Sequence, residues 1–524
     1  MAARNRVGGP EADVVIVGYG PIGQTLAILL ADSGWRVLVL ERQPQPYSLP
    51  RATSFDGETA RVFARAGLGA SFPRIGEPAD GYDWCEAGGR TLLGVDFTAA
   101  GRHGWPDVTT MHQPALESAL RARAAALPDI EIRPGCAVTE ITEDGEVTYA
   151  HAGGTSRVTA SWVVGCDGAN STVRERMGVD VTDLGFSYDW LLCDVVLAEP
   201  RVFAPTNMQI CDPARPTTLV GSGPGHRRWE FMRLPGEDIE YLNRVETAWQ
   251  LLKKFDVTPE TATLERHSVY RFRASWADRW RRGRVLLAGD AAHSMPPFTG
   301  QGMCSGIRDV LNLSWKLDLA LRGLADGSLL DSYDDERLPH VRETVEAAVA
   351  LGRIVCVTDD EAAARRDTAL PGTARTTAPP PIPLRTGLLH RGFGSVAAPP
   401  AGEVVPQGRV RLGPVAGLFD DVAGTGFVLL SVDDAASALS DAQREFLAAI
   451  GTRIVTLAPA AASDAAADTD TDTDTIVDVD GTYRDYLRSL RARSLLIRPD
   501  YTIFGAARTS SQVTAIVDQL RRAL

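Results

Sequence analysis

Three short segments of this chain place chemically useful residue types at fixed spacing. Gly18-Tyr19-Gly20-Pro21-Ile22-Gly23 is G-x-G-x-x-G, and Glu41 stands eighteen residues after its third glycine. Cys166-Asp167-Gly168-Ala169-Asn170-Ser171-Thr172-Val173-Arg174 contains D-G-x-x-S-x-x-R. Gly289-Asp290-Ala291-Ala292-His293 is G-D-A-A-H, with Pro296-Pro297-Phe298-Thr299-Gly300-Gln301-Gly302-Met303 close behind. The first pattern suits a dinucleotide. Its first glycine permits a tight turn, its second lets backbone approach a pyrophosphate, and its third lets helix pack on strand. A helix opening there offers N–H groups and a positive dipole end to phosphates, and Glu41 can accept from a ribose hydroxyl. NAD and FAD both satisfy this pattern. The other two segments narrow it. Glycine and aspartate at the end of a parallel strand can hold a ribityl chain. A helix opening near Gly300 can turn its N–H groups toward an anionic flavin ring.

The surrounding elements must put these segments together. Residues 14–17 read as a buried parallel strand, 24–33 as a helix with Leu26, Leu29 and Leu30 on one face, and 36–40 as the next strand. Residues 113–126 read as a helix and 131–149 as strands with Asp144-Gly145 as a hairpin turn. Strands at 162–164 and 285–288 run into the D-G and G-D motifs, and a long helix is expected over 307–324. Residues 83–97 have strand-like patterning. Residues 186–272 show turn signals every ten or so positions, as a mostly antiparallel inserted sheet would. Gly221-Ser222-Gly223-Pro224-Gly225 opens no helix and reads as a hairpin loop. A Pro-rich stretch over 373–400 reads as a linker. A second strand–helix alternation follows, interrupted by the acidic low-complexity run 463–475, read as a solvated loop.

Composition excludes several classes. The 524 residues include 54 Lys and Arg against 67 Asp and Glu, a net charge of −13, so the basic excess of a nucleic-acid binder is absent. No apolar run approaches the ~20 residues of a membrane span, and Met1 to Asp13 lack the apolar core of a signal peptide. Seven cysteines without a C-x-x-C give neither a disulfide framework nor a zinc site, and fit a reducing cytoplasm. Eight histidines without H-x-x-x-H give no metal pattern.

Taken jointly and in this order, the three motifs resemble the single-component (class A) FAD-dependent aromatic hydroxylases over about residues 13–341. Cys211-Asp212-Pro213-Ala214-Arg215-Pro216-Thr217-Thr218, His226-Arg227-Arg228-Trp229-Glu230-Phe231 and the segment from Pro296 to Met303 look like the 3-(3-hydroxyphenyl)propionate hydroxylase branch. Gly481-Thr482-Tyr483 and Leu496-Ile497-Arg498-Pro499-Asp500 are similar to the thioredoxin-like appendage of phenol-hydroxylase-type members. That appendage has no cysteine here, so thiol redox chemistry is excluded and a structural or dimer-supporting role remains. The resemblance implies an α/β fold. A Rossmann-type FAD-binding domain would occupy 10–82, 104–185 and 274–372. An inserted, mostly antiparallel β-sheet substrate domain would occupy 83–103 and 186–273. The linker 373–400 and a thioredoxin-like α/β domain over 401–524 complete the chain.

The implied reaction uses NAD(P)H and O2 to hydroxylate a phenolic or hydroxy-heteroaromatic ring ortho or para to its hydroxyl, through a C4a-hydroperoxyflavin. No second G-x-G-x-x-G is present, in keeping with a family that lacks a separate nicotinamide domain. Carried over residue by residue, Gly18, Gly20, Pro21, Ile22, Gly23 and Glu41 belong to the pyrophosphate and adenosine end. Arg42 and Arg51 belong to the adenine end and the flavin side, with a solvated ion pair the alternative for Arg42. Gln113 matches a ribityl-contacting glutamine, with a plain first-turn residue the alternative. Asp167 and Gly168 lie near the FAD and the nicotinamide path, and Asp290 holds ribityl or pyrophosphate. Pro297, Gly300, Gln301, Gly302 and Met303 line the isoalloxazine, and Asp167, Pro297, Gly300 and Gln301 form the catalytic set. Met208, Gln209, Thr217, Trp229, Phe231, Pro296 and Phe298 are substrate candidates by location, although strand alternation sends half of the strand residues away. His226 and Arg228 could meet an acidic substrate group or form an ion pair with Glu230 or Asp212. The implied partners are a small aromatic substrate, O2 and a second copy of the chain. The rival reaction is Baeyer–Villiger or other oxidative tailoring of a polyketide-like intermediate by the same cofactor. A flavin halogenase would show W-x-W-x-I-P, which is absent, and a flavin-bearing module without activity would have a broken D-G or G-D motif.

Overall fold

The computed structural model describes residues 10–46, 49–98, 100–370, 372, 375–391, 399–459 and 475–524. The chain divides into two compact units. The first is Met1–Ala99, Pro106–Val310 and Val341–Ala378; the second is Ala100–Trp105, Leu311–His340 and Pro379–Leu524. Most of the expected flavin-binding and inserted-sheet segments fall together in the first unit. The second takes in residues 311–340 in addition to the C-terminal segment.

In the first unit, the β-branched run of Ala12–Val17 is buried from Val14 to Val17, which suits a strand covered on both faces. It pairs in parallel with Val37–Glu41 and with Gly154–Gly165, and Gly154–Gly165 pairs in parallel with Val285–Leu287. The registers Val17↔Gly165 and Gly165↔Leu287 align three strand ends. The G-x-G-x-x-G, D-G and G-D segments therefore leave the same carboxyl edge side by side, where open α/β sheets bind ligands. Helix Pro21–Asp32 begins at the glycine turn, earlier than the expected residue 24, because proline at the first helical position is pre-set for a helix. Asp144-Gly145 does turn a hairpin between Ala137–Ile141 and Glu146–His151. Ile130–Pro134 instead joins the parallel sheet beside Val37–Glu41.

The nine-stranded sheet of this unit is mostly antiparallel, with the long pair Val181–Leu197 and Ala262–Ala277 toward one edge, beside the short edge strand His293–Ser294. His226–Met232, Thr217–Gly221, Asn207–Ile210 and Gly81–Cys85 follow in order across the sheet. The loop of residues 222–225 does connect a hairpin. Period-two alternation gives the sheet two chemically distinct faces. On one face Leu191, Cys193, Leu219, Trp229 and Phe231 pack with Leu242, Leu251 and Leu252 of the adjoining helical segment. The other face carries Asn207, Thr218, Arg228 and Glu230. Strand Thr376–Thr377, inside the expected linker, pairs with Thr91–Asp96.

The second unit has a seven-stranded sheet in which Thr475–Asp478, Arg453–Pro459 and Val428–Ser431 run parallel and Ser494–Ile497 and Ile503–Ala507 complete one edge antiparallel. Its core joins Phe427, Leu496, Phe504 and Val517 to Trp315, Leu319 and Leu329. Beside that core, Lys316 Nζ lies 2.8 Å from Glu336, whose carboxylate also takes Arg498 at 2.7 Å, and Arg498 pairs with Asp500. The acidic run, except for Thr475, and residues 373, 374 and 392–398 of the expected linker lie outside the described residues. Among the described residues no helix is long and apolar enough to cross a membrane.

Candidate active site

The glycine turn separates two steric demands. Gly18 has φ +100°, and a Cβ there would sit 2.5 Å from the Cys166 carbonyl oxygen. A Cβ on Gly23 would sit 2.2 Å from the Gly18 carbonyl oxygen. Both glycines are required by the protein's own packing. Around a Cβ on Gly20 no heavy atom lies within 4 Å, and the same holds at Gly168 (φ +82°). Those two face open space at the carboxyl edge, as a cradle for a pyrophosphate-bearing ligand must. Gly20 caps helix Pro21–Asp32 with no side-chain hydrogen bond, leaving its N-terminal dipole available. Glu41 accepts from the Tyr19 N–H at 2.8 Å and from the Gln43 N–H at 2.7 Å, so it also shapes the turn. Arg42 is exposed beside it.

Asp167 and Asp290 stand on neighbouring strand ends but do different work. Asp167 accepts from Ser171 Oγ and from the Val173 N–H, anchoring helix Thr172–Met177. Burial pushes its carboxyl up against those hydrogen bonds. Arg174, the arginine of D-G-x-x-S-x-x-R, donates to the carbonyls of Ala169 (2.7 Å) and Ala291 (2.8 Å) and so staples the D-G turn to the G-D turn. Asp290 is exposed at the edge. Under it, Asp309 accepts from the Gly289 N–H at 3.0 Å and meets His293 Nε2 at 2.7 Å, so His293 is a buried supporting residue.

Gln113 is buried, and its side-chain oxygen accepts from the N–H groups of Arg51 (2.8 Å) and Ala52 (2.7 Å). It holds the loop that Arg228 grips from the other side, through the carbonyls of Arg51 and Pro50. Arg51 thus enters the site region by its backbone, with its side chain at the surface. The Pro297–Thr299 turn ends at Gly300 in the left-handed region, φ +66°, before helix Gly302–Arg322 begins. Gln301 accepts from Arg308 at 2.8 Å, and Arg308 also binds Glu58 at 2.8 Å and Asp56. Burial opposes ionisation of Asp56, but the Arg308 guanidinium and the Thr59 N–H hold its carboxyl down at about 2. Gly302 and Met303 open the helix, and a Cβ on Gly302 would have its nearest neighbour 3.9 Å away.

Between this turn and the polar face of the nine-stranded sheet lies a cavity. Pro297, Phe298, Gly300 and Gln301 line it from the turn, and Tyr82, Asn207, Thr218, Val220 and Glu230 line it from the sheet. Phe298 is buried against Phe186, Trp190 and Phe272, which fixes the turn. Pro296, also buried, precedes the turn without lining the cavity. The structure does not bring the other substrate candidates to this space. Trp229 and Phe231, with Met208 packed against them, lie in the apolar cluster on the opposite face, and the Thr217 hydroxyl turns to the Arg215 carbonyl. Gln209 sits behind the lining, accepting from the Thr218 hydroxyl at 2.6 Å and orienting it. Arg228 pairs with Asp194 at 2.6 Å and, more loosely, with Glu230 at 3.8 Å, so the expected ion pair with Glu230 forms; His226 stacks on His112 at 4.1 Å.

Tyr82, Asn207, Thr218, Val220 and Glu230 line the cavity although none was a substrate candidate, and Glu230 entered the sequence reading only as an ion-pair partner. It is 6% exposed, and among the described residues its carboxylate accepts no hydrogen bond. Arg228 Nη1 is 3.8 Å away, beyond hydrogen-bonding reach, with donors committed to Asp194, Pro50 and Arg51. Burial, reinforced by Asp194 and only partly offset by Arg228, pushes its carboxyl up to about 7. The signal was present in the alternation Arg228-Trp229-Glu230-Phe231, in which charge recurs every second residue of a buried strand.

Residues 11–348 match the FAD binding domain family, and residues 402–523 match the HcaD C-terminal domain family. The chain is 38% identical over 519 residues to a "Probable NADH-specific resorcinol 4-hydroxylase" of Rhodococcus jostii (strain RHA1), covering 98% of this chain and 95% of that protein. It is 33% identical over 509 residues to a "3-(3-hydroxy-phenyl)propionate/3-hydroxycinnamic acid hydroxylase" of Mycolicibacterium smegmatis, covering 94% and 90%. Among solved structures it is similar in fold to the flavin-dependent monooxygenase PieE (TM-score 0.78, 20% identity, 98% and 99% covered). It is likewise similar to aklavinone-11 hydroxylase (TM-score 0.76, 22% identity, 98% and 100% covered).

Proposed function

Because the chain belongs to the FAD-binding family of single-component aromatic hydroxylases, we propose that it acts on a small hydroxybenzene of the resorcinol type, adding one hydroxyl ortho or para to an existing one. It is an FAD- and NAD(P)H-dependent monooxygenase of phenolic rings. Bound FAD supplies electrons from NAD(P)H to O2, and the protein supplies binding, orientation and exclusion of water. Gly18, Gly20, Gly23 and Glu41 would take the adenosine and pyrophosphate end. Gly168, Asp290 and the Gln113-pinned loop at Arg51 would take the ribityl stretch. Pro297, Gly300, Gln301, Gly302 and Met303 would bound the ring. The open positions at Gly20 and Gly168 support this assignment.

The observation that carries the substrate reading is the cavity itself, which joins the Pro297–Gln301 turn to a polar strand face. The 38% identical relative, named as NADH-specific, favours NADH as reductant. We read the C-terminal segment as thioredoxin-like from its strand–helix alternation. Its role is structural, since none of the seven cysteines lies beyond Cys356. Free cysteines throughout suit a cytoplasmic setting, and light scattering tests the expected homodimer. The deciding experiment measures NADH and NADPH oxidation by FAD-loaded protein with resorcinol, other phenols and hydroxypyridines, with hydrogen peroxide and product oxygen assayed together. Substrate-stimulated oxidation with oxygen in the product is expected. Background oxidation with every ring, or peroxide alone, overturns the small-phenol reading and turns the search to larger biosynthetic substrates or ketones.

A further inference from the structure

We propose that Glu230 is the base that receives the proton of the substrate's ring hydroxyl, and that its carboxylate makes the cavity select uncharged hydroxybenzenes over rings bearing a carboxylate. The inference rests on the hydroxylase reading and adds the proton acceptor and the charge rule.

The geometry is specific. Glu230 pairs in register with Thr218 on one side and Leu192 on the other, so its side chain shares the sheet face that lines the cavity with Thr218. A buried carboxylate without a hydrogen-bond donor is costly. Here the space in front of it is the cavity, and a hydroxyl held there would supply the missing donor. Tyr82 and Asn207, paired in register on adjoining strands, line the same side. The charged and titratable groups facing Glu230 are Arg228 on its own strand, Asp194 on the neighbouring strand and Tyr82 on Gly81–Cys85. Across the cavity, Asp56 is neutralised by Arg308. Among the described residues the lining holds no lysine, arginine or histidine, so nothing there compensates a substrate carboxylate.

In the proton step the substrate O–H bond breaks and its proton forms a bond to a Glu230 carboxylate oxygen. The electron pair stays on the phenolic oxygen and raises electron density at the ortho and para carbons, the positions that the proposed reaction hydroxylates. A carboxyl poised near 7 is matched to this task at neutral pH.

The test combines binding with turnover. FAD-loaded wild type is titrated, without NAD(P)H, with resorcinol and with 3-(3-hydroxyphenyl)propionate, following the flavin spectrum. Resorcinol should bind at least tenfold more tightly. Glu230→Gln should retain FAD and fold, lose about 10²-fold or more in kcat, and lose the rise of kcat/KM through about pH 7; Glu230→Asp should recover part of both. If the wild type hydroxylates phenols and Glu230→Gln keeps the rate and the rise, Glu230 is not the base. Equal binding of the two rings overturns the charge rule, and this arm stands even if the variants fail to fold. A wild type that neither binds nor hydroxylates any phenol overturns the parent reading together with this one.

Discussion

At the scale of single residues, similar chemical types carry opposite duties. Gly23 is demanded by the Gly18 carbonyl 2.2 Å from its Cβ position, whereas Gly20 looks into open space. Gly23→Ala should therefore lower the melting temperature of the FAD-free protein. Gly20→Ala should leave that temperature within a degree or two and weaken FAD retention at least tenfold, as measured by bound flavin after dialysis. Glu230 gives a second contrast. Its carboxyl is raised from 4.5 to about 7, so the folded state binds more proton than the unfolded state between those values. Stability then falls as pH rises through that window, by at most about 3 kcal/mol. Glu230→Gln should melt higher than wild type at pH 8, with the gap closing toward pH 5, even as turnover collapses. Proton transfer and fold stability pull apart at this side chain, as expected where a site is built at the expense of packing. The motif residues were legible because glycine turns and strand-end aspartates have local signatures. Glu230 was not, because its meaning depends on which side of a strand faces the Pro297–Thr299 turn across the cavity.

At the scale of elements, the strand His226–Met232 divides a helix-covered apolar core from the cavity. Trp229→Ala should cost about 3–5 kcal/mol of stability, with KM for the phenol changed less than about twofold in the folded fraction. Thr218→Val should do the reverse: denaturation midpoints nearly unmoved, and KM raised severalfold through loss of the Gln209-oriented hydroxyl. Paired melting and steady-state measurements on the two variants check both halves. The assignment of Met208, Trp229 and Phe231 to substrate drew on sequence location, and a one-residue shift along a strand exchanges its faces. The central parallel strands Ala12–Val17, Val37–Glu41 and Val285–Leu287, by contrast, were readable from short continuous apolar runs because both their faces are buried. Thr475–Asp478 escaped notice because its first residue belongs to an acidic repeat, and its strand character comes from pairing with Arg453–Pro459.

At the scale of the whole molecule, the division into units departs from the order of the motifs. The Pro-rich stretch marks a compositional boundary, but residues 311–340 precede it and still share the core and charge cluster of the C-terminal segment. Composition cannot show this, since tertiary pairing across more than 150 residues leaves no local trace. Burial opposes ionisation of Glu336, yet Arg498 and Lys316 hold its carboxyl down at about 2. The stability it contributes is present above its ordinary value near 4.5 and is lost as pH falls toward 2. Glu336→Ala leaves Arg498 and Lys316 buried without their shared partner and should cost about 3–5 kcal/mol, seen as a lower denaturation midpoint at pH 7 that converges on wild type in acid. The cluster also bears on inheritance. A crossover in the Pro-rich stretch would pair Glu336 and Lys316 from one parent with position 498 from another. A chimaera between relatives should therefore stay stable only where both parents supply complementary charges at these positions, so that an exchangeable C-terminal segment includes residues 311–340, encoded upstream of the Pro-rich stretch.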